Sequence, residues 1–204
     1  MRIDGLTCVL VMSLLAADVC AQQSAAAPSA PMHTGTSASP ANRSERARAY
    51  FGDDLLIDQD NQPQRFYSDL LDGRTVLINV VFTHCPSACP LMTQKLKRVR
   101  SALGTRFGRD IWFLSLSVDP ARDTPALMKA FATKQGADAP GWRFLTADAD
   151  TLQRVLGRLG QWTDDAENHS TLLIAGNAAQ AHWSKLRPDA PPERIAADLE
   201  RLSE

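Results

Sequence analysis

The stretch Thr75-Val-Leu-Ile-Asn-Val-Val-Phe82 is a nearly unbroken apolar run, and it leads directly into Thr-His-Cys-Pro-Ser-Ala-Cys-Pro90. A strand with so little polar surface has no face to offer water, so it belongs inside a sheet covered on both sides. Gly73 marks the turn before it. After the cysteines, Leu91, Leu96, Val99 and Leu103 recur at roughly helical spacing, and Gly104 closes that helix. A second apolar run, Ile111 to Val118, repeats the strand pattern. This succession restricts the fold more than any compositional feature does.

The rest of the chain extends the same pattern. Leu55-Leu56-Ile57 and Gln64-Arg65-Phe66 flank a polar turn and read as a hairpin. Asp123-Thr124-Pro125 starts a helix, with a capping side chain just before a proline at the first helical position. Leu127, Ala130 and Phe131 then face the core. Leu152, Val155, Leu156 and Leu159 mark another amphipathic helix, and Glu193 to Leu202 a last one. Between these, Thr171–Ala175 and Gln180–Trp183 form a hairpin about Gly176-Asn177. Strands and helices in this order describe an α/β protein whose central mixed sheet carries helices on both faces. Cysteines at the end of a buried strand, running into a helix, make the arrangement thioredoxin-like.

The N-terminal part is of another kind. Arg2, an apolar stretch from Leu6 to Ala17, and Val19-Cys20-Ala21 read as a signal peptide over residues 1–21, cleaved after Ala21. The apolar stretch is shorter than the roughly 18–20 residues that span a bilayer. Ala17-Asp18-Val19 is a poor lipobox for Cys20, which argues against lipid anchoring. Residues 22–42 are mainly Ala, Ser, Pro, Thr and Gly, too poor in large apolar side chains to offset their ordering entropy. We set a flexible tether over 22–50 and the globular domain over 51–204. Export to the periplasm places the remaining thiols where a disulfide persists. The whole chain has 204 residues and a formal charge of −1. No basic stripe points to nucleic acid.

Of four cysteines, only Cys85 and Cys89 remain once the leader is gone. A disulfide closing so short a loop removes little unfolded-state entropy, which favours a chemical role. Prolines at 86 and 90 disfavour helical angles at Cys85 and Cys89, so the segment reads as a constrained loop around a helix beginning near Pro90. Cys89 then lies near the positive end of that helix, where a thiolate is favoured. Thiolates serve either disulfide exchange or a soft metal. Two thiolates and an imidazole suit Cu(I), and also Cu(II), whereas structural zinc wants four ligands.

Four histidines compete for third ligand. His33 lies in the tether, His84 leaves the strand on the side opposite Cys85, and His182 alternates on a late strand as a surface residue. His169, between a polar loop and the strand from Thr171, is equally a ligand or a hydrogen-bonded loop residue. Asp119 and Asp123 are secondary candidates. One reading makes Asp119-Pro120 a turn and Asp123 a helix cap; the other puts both carboxylates on the rim near the cysteines, tuning the thiols or meeting a basic partner. Met92 has the softness copper prefers but faces into a helix, as a core residue does.

Phe82-Thr-His-Cys-Pro-Ser-Ala-Cys-Pro90, Leu116-Ser-Val-Asp-Pro-Ala-Arg-Asp-Thr-Pro125 and Asn168-His169-Ser170 resemble the Sco/SenC family of copper-binding proteins, from about Phe51 to the C-terminus. The resemblance implies a thioredoxin-like fold that binds copper through Cys85, Cys89 and His169, with Cys85 and Cys89 also a redox disulfide. It implies delivery of copper to, or preparation of the thiols of, the binuclear copper site of cytochrome c oxidase. The partner is then the oxidase copper subunit or another periplasmic cuproprotein, with a copper donor upstream. Where the family usually has Asp before the ligand histidine, this chain has Asn168. Many relatives also keep an N-terminal membrane helix. A thiol–disulfide oxidoreductase acting on cuproprotein cysteines is the alternative; it needs both thiols but not the imidazole. Thioredoxin enzymes carry a proline just before the late strand, and Glu167-Asn-His-Ser-Thr171 has none. A peroxidase is the weakest reading, since Thr83 is separated from Cys85 by His84 alone.

Overall fold

The computed structural model describes residues 39–204. The leader, most of the tether and His33 lie outside the described residues. Helix α1 (Pro40–Phe51) already belongs to the compact unit. The domain therefore starts before the boundary placed at residue 51. Ser39 caps α1 by accepting from the Asn42 N–H, and a proline opens its first turn. Ala47 and Phe51 are the residues that bury its inner side.

Seven strands form one sheet: β1 (Leu55–Asp58), β2 (Pro63–Arg65), β3 (Thr75–Val81), β4 (Ile111–Ser117), β5 (Trp142–Thr146), β6 (Leu173–Asn177) and β7 (His182–Leu186). Their order is β2-β1-β5-β4-β3-β6-β7. The three central strands run parallel, and the outer ones join antiparallel. Every residue of β3 is buried, as its nearly unbroken apolar run suggests. Four further helices complete the fold: α2 (Ala88–Leu103), α3 (Pro125–Gln135), α4 (Ala149–Arg158) and α5 (Pro192–Leu202). Helices cover both sides of the sheet; α2 packs against α3 and α5, and α1 against α4. The expected thioredoxin-like α/β architecture is the one observed.

β5 is a central strand, yet its short sequence carries no clear strand pattern. Its entry depends on Gly141, whose φ of +90° only glycine adopts without strain, and whose Cα approaches Gly108 so closely that a Cβ would overlap it. Phe66 leaves the first hairpin and opens a π-helical turn, Phe66–Leu71. The last hairpin turns at 178–181 rather than at Gly176-Asn177, so both positions lie in β6. Beneath the functional end, buried polar groups form a satisfied chain. Trp142 Nε1–H donates to Ser115 Oγ (2.9 Å), which donates to Asn79 Oδ1 (2.8 Å). Gln59 pairs its side-chain amide with the β5 backbone at Trp142 O (3.1 Å) and Phe144 N (2.9 Å).

The register explains where the chemistry gathers. β3 and β4 run parallel and in step from Thr75–Ile111 to Val81–Ser117. The loops after Val81 and after Ser117 therefore emerge side by side at the carboxyl ends of the strands. β6 runs antiparallel to β3, so the loop that precedes it reaches the same end. Cys85, Asp123 and His169 come from these three loops and the start of α2, at the sheet end where α/β folds place their sites.

Candidate metal centre

Helix α2 begins at Ala88, two residues earlier than its sequence suggests, so Cys89 lies inside the first turn. Pro90 is tolerated there because the first-turn N–H groups have no helical partner in any case. Ser87 occupies the N-cap position without a side-chain capping bond. The Cys85 sulfur does that work instead, accepting from the Cys89 N–H at 3.2 Å. The thiol at the helix terminus is thus Cys85, whereas the sequence pointed to Cys89.

The two thiols differ accordingly. Burial pushes the Cys85 thiol up, but the Cys89 N–H and thiol and the Ser87 and Ala88 N–H groups more than offset this, and it settles below the ordinary range. Cys89 is pushed up to about 12, first by burial, with the Phe82 backbone opposing and Cys85 and the Asp123 carboxylate adding to the rise. Only 3% of Cys89 is exposed, against 9% of Cys85. The helix terminus thus favours the Cys85 thiolate, whereas Cys89 is held toward its protonated form.

His169 is brought to this pair and the other described histidines are not. Its Nε2 lies 3.9 Å from Cys89 Sγ, and its ring meets Phe82 edge-to-face at 5.5 Å. Nδ1 lies 2.8 Å from the Ala166 carbonyl, which can only accept, so the proton sits on Nδ1 and the Nε2 lone pair faces the sulfur. At 3.9 Å the two groups are in contact across a thiol–imidazole pair. Cys89 Sγ and His169 Nε2 would be two of the donors to a soft ion, with Cys85 the third. Among the described residues no three His, Cys, Asp or Glu side chains are yet drawn into a closed metal shell. A bound ion would have to draw the Cys85 sulfur inward from its capping position.

The loop carrying His169 is built by Asp165. Its carboxylate accepts from the Glu167 N–H at 2.9 Å and from Asn168 Nδ2 at 2.6 Å, closing a single 3-10 turn over Ala166–Asn168. His84 is exposed and contacts Thr83 Oγ1 through Nδ1 at 3.2 Å; His182 is exposed on β7. Met92 is half-buried against the core and lines a small cavity beside Cys89 and His169.

Asp123 is not a helix cap, and it tunes the thiols from a buried position rather than from an exposed rim. Thr124 caps α3, accepting from the Leu127 N–H at 3.3 Å. Asp123 is 2% exposed and clamps the cysteine loop. Its Oδ1 accepts from the Thr83 N–H (3.1 Å) and Oγ1–H (2.6 Å), and its Oδ2 from Ser117 Oγ–H (2.7 Å). Asp119 is also buried. Its backbone carbonyl accepts from Arg122 and Asp123, making the expected turn, and its carboxylate pairs with Arg122 at 3.0 Å. Thr83 and Ser117 had no signal of their own in the sequence beyond adjoining the motifs.

A family model described as SCO1/SenC matches residues 44–204. The chain belongs to the SCO1/SenC family. The SCO1 protein homolog of Bacillus subtilis is 34% identical over 76 residues, 37% of this chain and 39% of that one. The matched stretches cover less than half the length of the curated relatives. Among solved structures, Bradyrhizobium japonicum ScoI with copper bound superposes with a TM-score of 0.63 at 28% identity, covering 74% of this chain and 98% of that one. A SCO1/SenC family lipoprotein of Bacillus anthracis gives 0.64 at 26% identity, covering 74% and 92%. For this SCO1/SenC chain, the family match covers every residue placed in the site.

Proposed function

We propose that this chain binds copper through Cys85, Cys89 and His169. In assembly of the copper site of cytochrome c oxidase, it would deliver the ion to the oxidase copper subunit or prepare that subunit's thiols. The observation that carries this reading is the His169 ring, turned so that Nε2 lies 3.9 Å from Cys89 Sγ while Nδ1 is held by the Ala166 carbonyl. Disulfide exchange has no need of such a ligand. Two sulfurs and a nitrogen make a soft, low-coordinate set suited to Cu(I) and able to take Cu(II). Loading requires both thiols to ionise. Cys85 is inclined to do so already, whereas Cys89 gives up its proton only as the ion arrives, so binding releases protons and strengthens with pH. The leader pattern supports export to the periplasm as the place where this occurs. Among the described residues no helix is long and apolar enough to cross a membrane.

The test is a Cu(I) titration of the reduced protein against a competing chelator, with wild type and His169→Ala side by side. One-to-one binding that weakens at least tenfold in the variant is expected. Equal affinity in the two proteins refutes the three-ligand site.

The unequal thiols favour a second activity at the same place. The Cys85 thiolate attacks an acceptor disulfide, releasing one acceptor thiolate and forming a mixed disulfide. Cys89 then attacks the Cys85 sulfur, its proton passing to the released acceptor thiolate. A second acceptor thiolate leaves and takes a proton from solvent, so the acceptor gains two electrons and the Cys85–Cys89 disulfide remains. This step should survive His169→Ala, which separates the two activities.

A further inference from the structure

A second concavity shares no residue with the copper site. The C-terminal half of α1 and the end of α4 overhang β6 and β7, enclosing a groove of ≈ 840 Å³. That volume lies within the about 300–1,000 Å³ typical of small-molecule sites. Its wall is an aromatic row. The Phe51 ring stands 4.7 Å from Trp183 and 4.9 Å from Tyr50. The Trp183 indole lies so closely over its cross-strand partner Gly176 that a Cβ there would overlap the ring. Tyr50 is 57% exposed, but its hydroxyl donates to the Arg158 carbonyl at 2.7 Å, which fixes the ring at the edge of the groove. Leu159 and Ile174 add aliphatic surface.

The charge lining this groove has one sign. Arg43, Arg46, Arg158 and Lys185 line it, and no carboxylate does. Arg158 is committed to Asp54 (2.5 Å) and to the Phe51 carbonyl (2.8 Å), and Arg43 Nε to the Ala179 carbonyl (3.3 Å). Arg46 and Lys185, both exposed, have no carboxylate partner among the described residues. Residues 22–38, the stretch just before α1, contain no Asp or Glu that could supply one. An apolar trough rimmed by two unneutralised cations complements a ligand that is itself apolar with an anionic end.

We propose that this groove binds a small amphipathic anion, a carboxylate carried on an apolar chain or ring. The apolar body lies against Phe51, Ile174 and Trp183, and Arg46 and Lys185 meet the charge.

The test titrates the full chain with decanoate by calorimetry. Decanol serves as the neutral analogue, and an Arg46→Glu/Lys185→Glu double variant removes the cations. Saturable one-to-one binding of decanoate is expected, at least tenfold weaker for the double variant and at least tenfold weaker for decanol. Trp183 fluorescence, assigned with Trp183→Phe, should change in step with binding. The double variant should keep wild-type melting and Cu(I) affinity, since both substitutions are exposed and outside the metal centre. Absence of saturation overturns the proposal, as it would if the chain before Ser39 filled the groove. Equal binding of decanol, or undiminished binding by the double variant, overturns it too, as expected of a surface that serves a protein partner.

Discussion

Removing the Asp123 carboxylate tests how the cysteine loop is held. Three hydrogen bonds converge on it from Thr83 and Ser117, between 2.6 and 3.1 Å. Bonds to a charged acceptor contribute about 1.5–3 kcal/mol each. In Asp123→Ala the two hydroxyls can rotate toward other acceptors, which recovers part of that sum, but the Thr83 N–H cannot. A buried donor left unpaired costs about 1–3 kcal/mol, and with one charge-assisted bond not recovered the net loss should be about 3–5 kcal/mol. Asp123→Asn isolates geometry from charge. Its Oδ1 still accepts both Thr83 bonds, and its Nδ2 can donate to Ser117 Oγ once that hydroxyl turns, so about 1 kcal/mol should be lost. Urea unfolding of the reduced protein measures both. At about 2–4 °C per kcal/mol for a domain of this size, the alanine variant melts roughly 6–20 °C lower and the asparagine variant a few degrees lower. Thr83 leads into Cys85, so alanine should also weaken Cu(I) binding while asparagine largely preserves it. Alanine within about 1 kcal/mol of wild type, or asparagine as damaging as alanine, would refute the clamp.

The unequal thiols predict unequal alkylation: in single-cysteine variants Cys85 reacts with iodoacetamide well below the pH at which Cys89 does, and matching profiles would contradict the asymmetry. The same shift makes stability depend on pH. Cys89 holds its proton more tightly folded than unfolded, so its contribution is complete below the ordinary thiol range near 9 and is lost as pH rises toward about 12. Denaturation of wild type against Cys89→Ser from pH 8 to 11 should show a steeper alkaline loss in wild type. Asn168→Asp sets a second carboxylate against Asp165, where the amide now donates at 2.6 Å. Loosening of the turn should weaken Cu(I) binding about three- to tenfold, least at high salt, where the repulsion is screened; unchanged affinity would show that the turn does not depend on this clip. Gly141→Ala forces a side chain into Gly108 at a positive φ and should cost about 2–5 kcal/mol in urea unfolding, with wild-type stability counting against the packing argument.

Much of this fold is legible because burial imposes its pattern on the residues. β3 and β4 are covered on both faces, and their predominantly apolar runs show it. β5 is equally central, but Trp142-Arg-Phe-Leu-Thr146 is short, interrupted by Arg143, and held partly through the Gln59 side chain, a contact no periodicity reports. α1 carries Arg43, Arg46 and Arg48 and buries little, so its composition reads as linker and only its packing reveals it. At the site, the residue types were plain and the roles were not. Pro90 suggests a helix starting where it stands, yet proline fits anywhere in a first turn, and α2 uses that freedom to begin at Ala88. That shift of two residues exchanges the thiols' roles. Asp123 beside Thr124-Pro125 looks like a cap by proximity alone; its partners, Thr83 and Ser117, become visible only when β3 and β4 lie in register.

The same register links the two activities proposed for the site. A helix terminus can stabilise one sulfur placed just outside its first turn, and here that sulfur is Cys85. Cys89, one step inside, is buried and faces the Asp123 carboxylate, so it stays protonated. For disulfide exchange this ordering assigns attack to Cys85 and resolution to Cys89. For copper the ordering has to be overcome: the ion must displace a proton from Cys89 and draw Cys85 off the helix N-terminus. His169 already lies against Cys89 Sγ through Nε2, with Nδ1 held by the Ala166 carbonyl. In the proposed copper form, the cost of freeing both sulfurs from these contacts would lower the ion's affinity and ease its release to an acceptor's thiolates. Strengthening the cap on α2, for instance by substituting Ser87 with Asp, would compete with Cys85 for the same N–H groups and free its sulfur. Tighter Cu(I) binding together with a higher Cys85 pKa in Ser87→Asp is the outcome this coupling requires; either change without the other would break it.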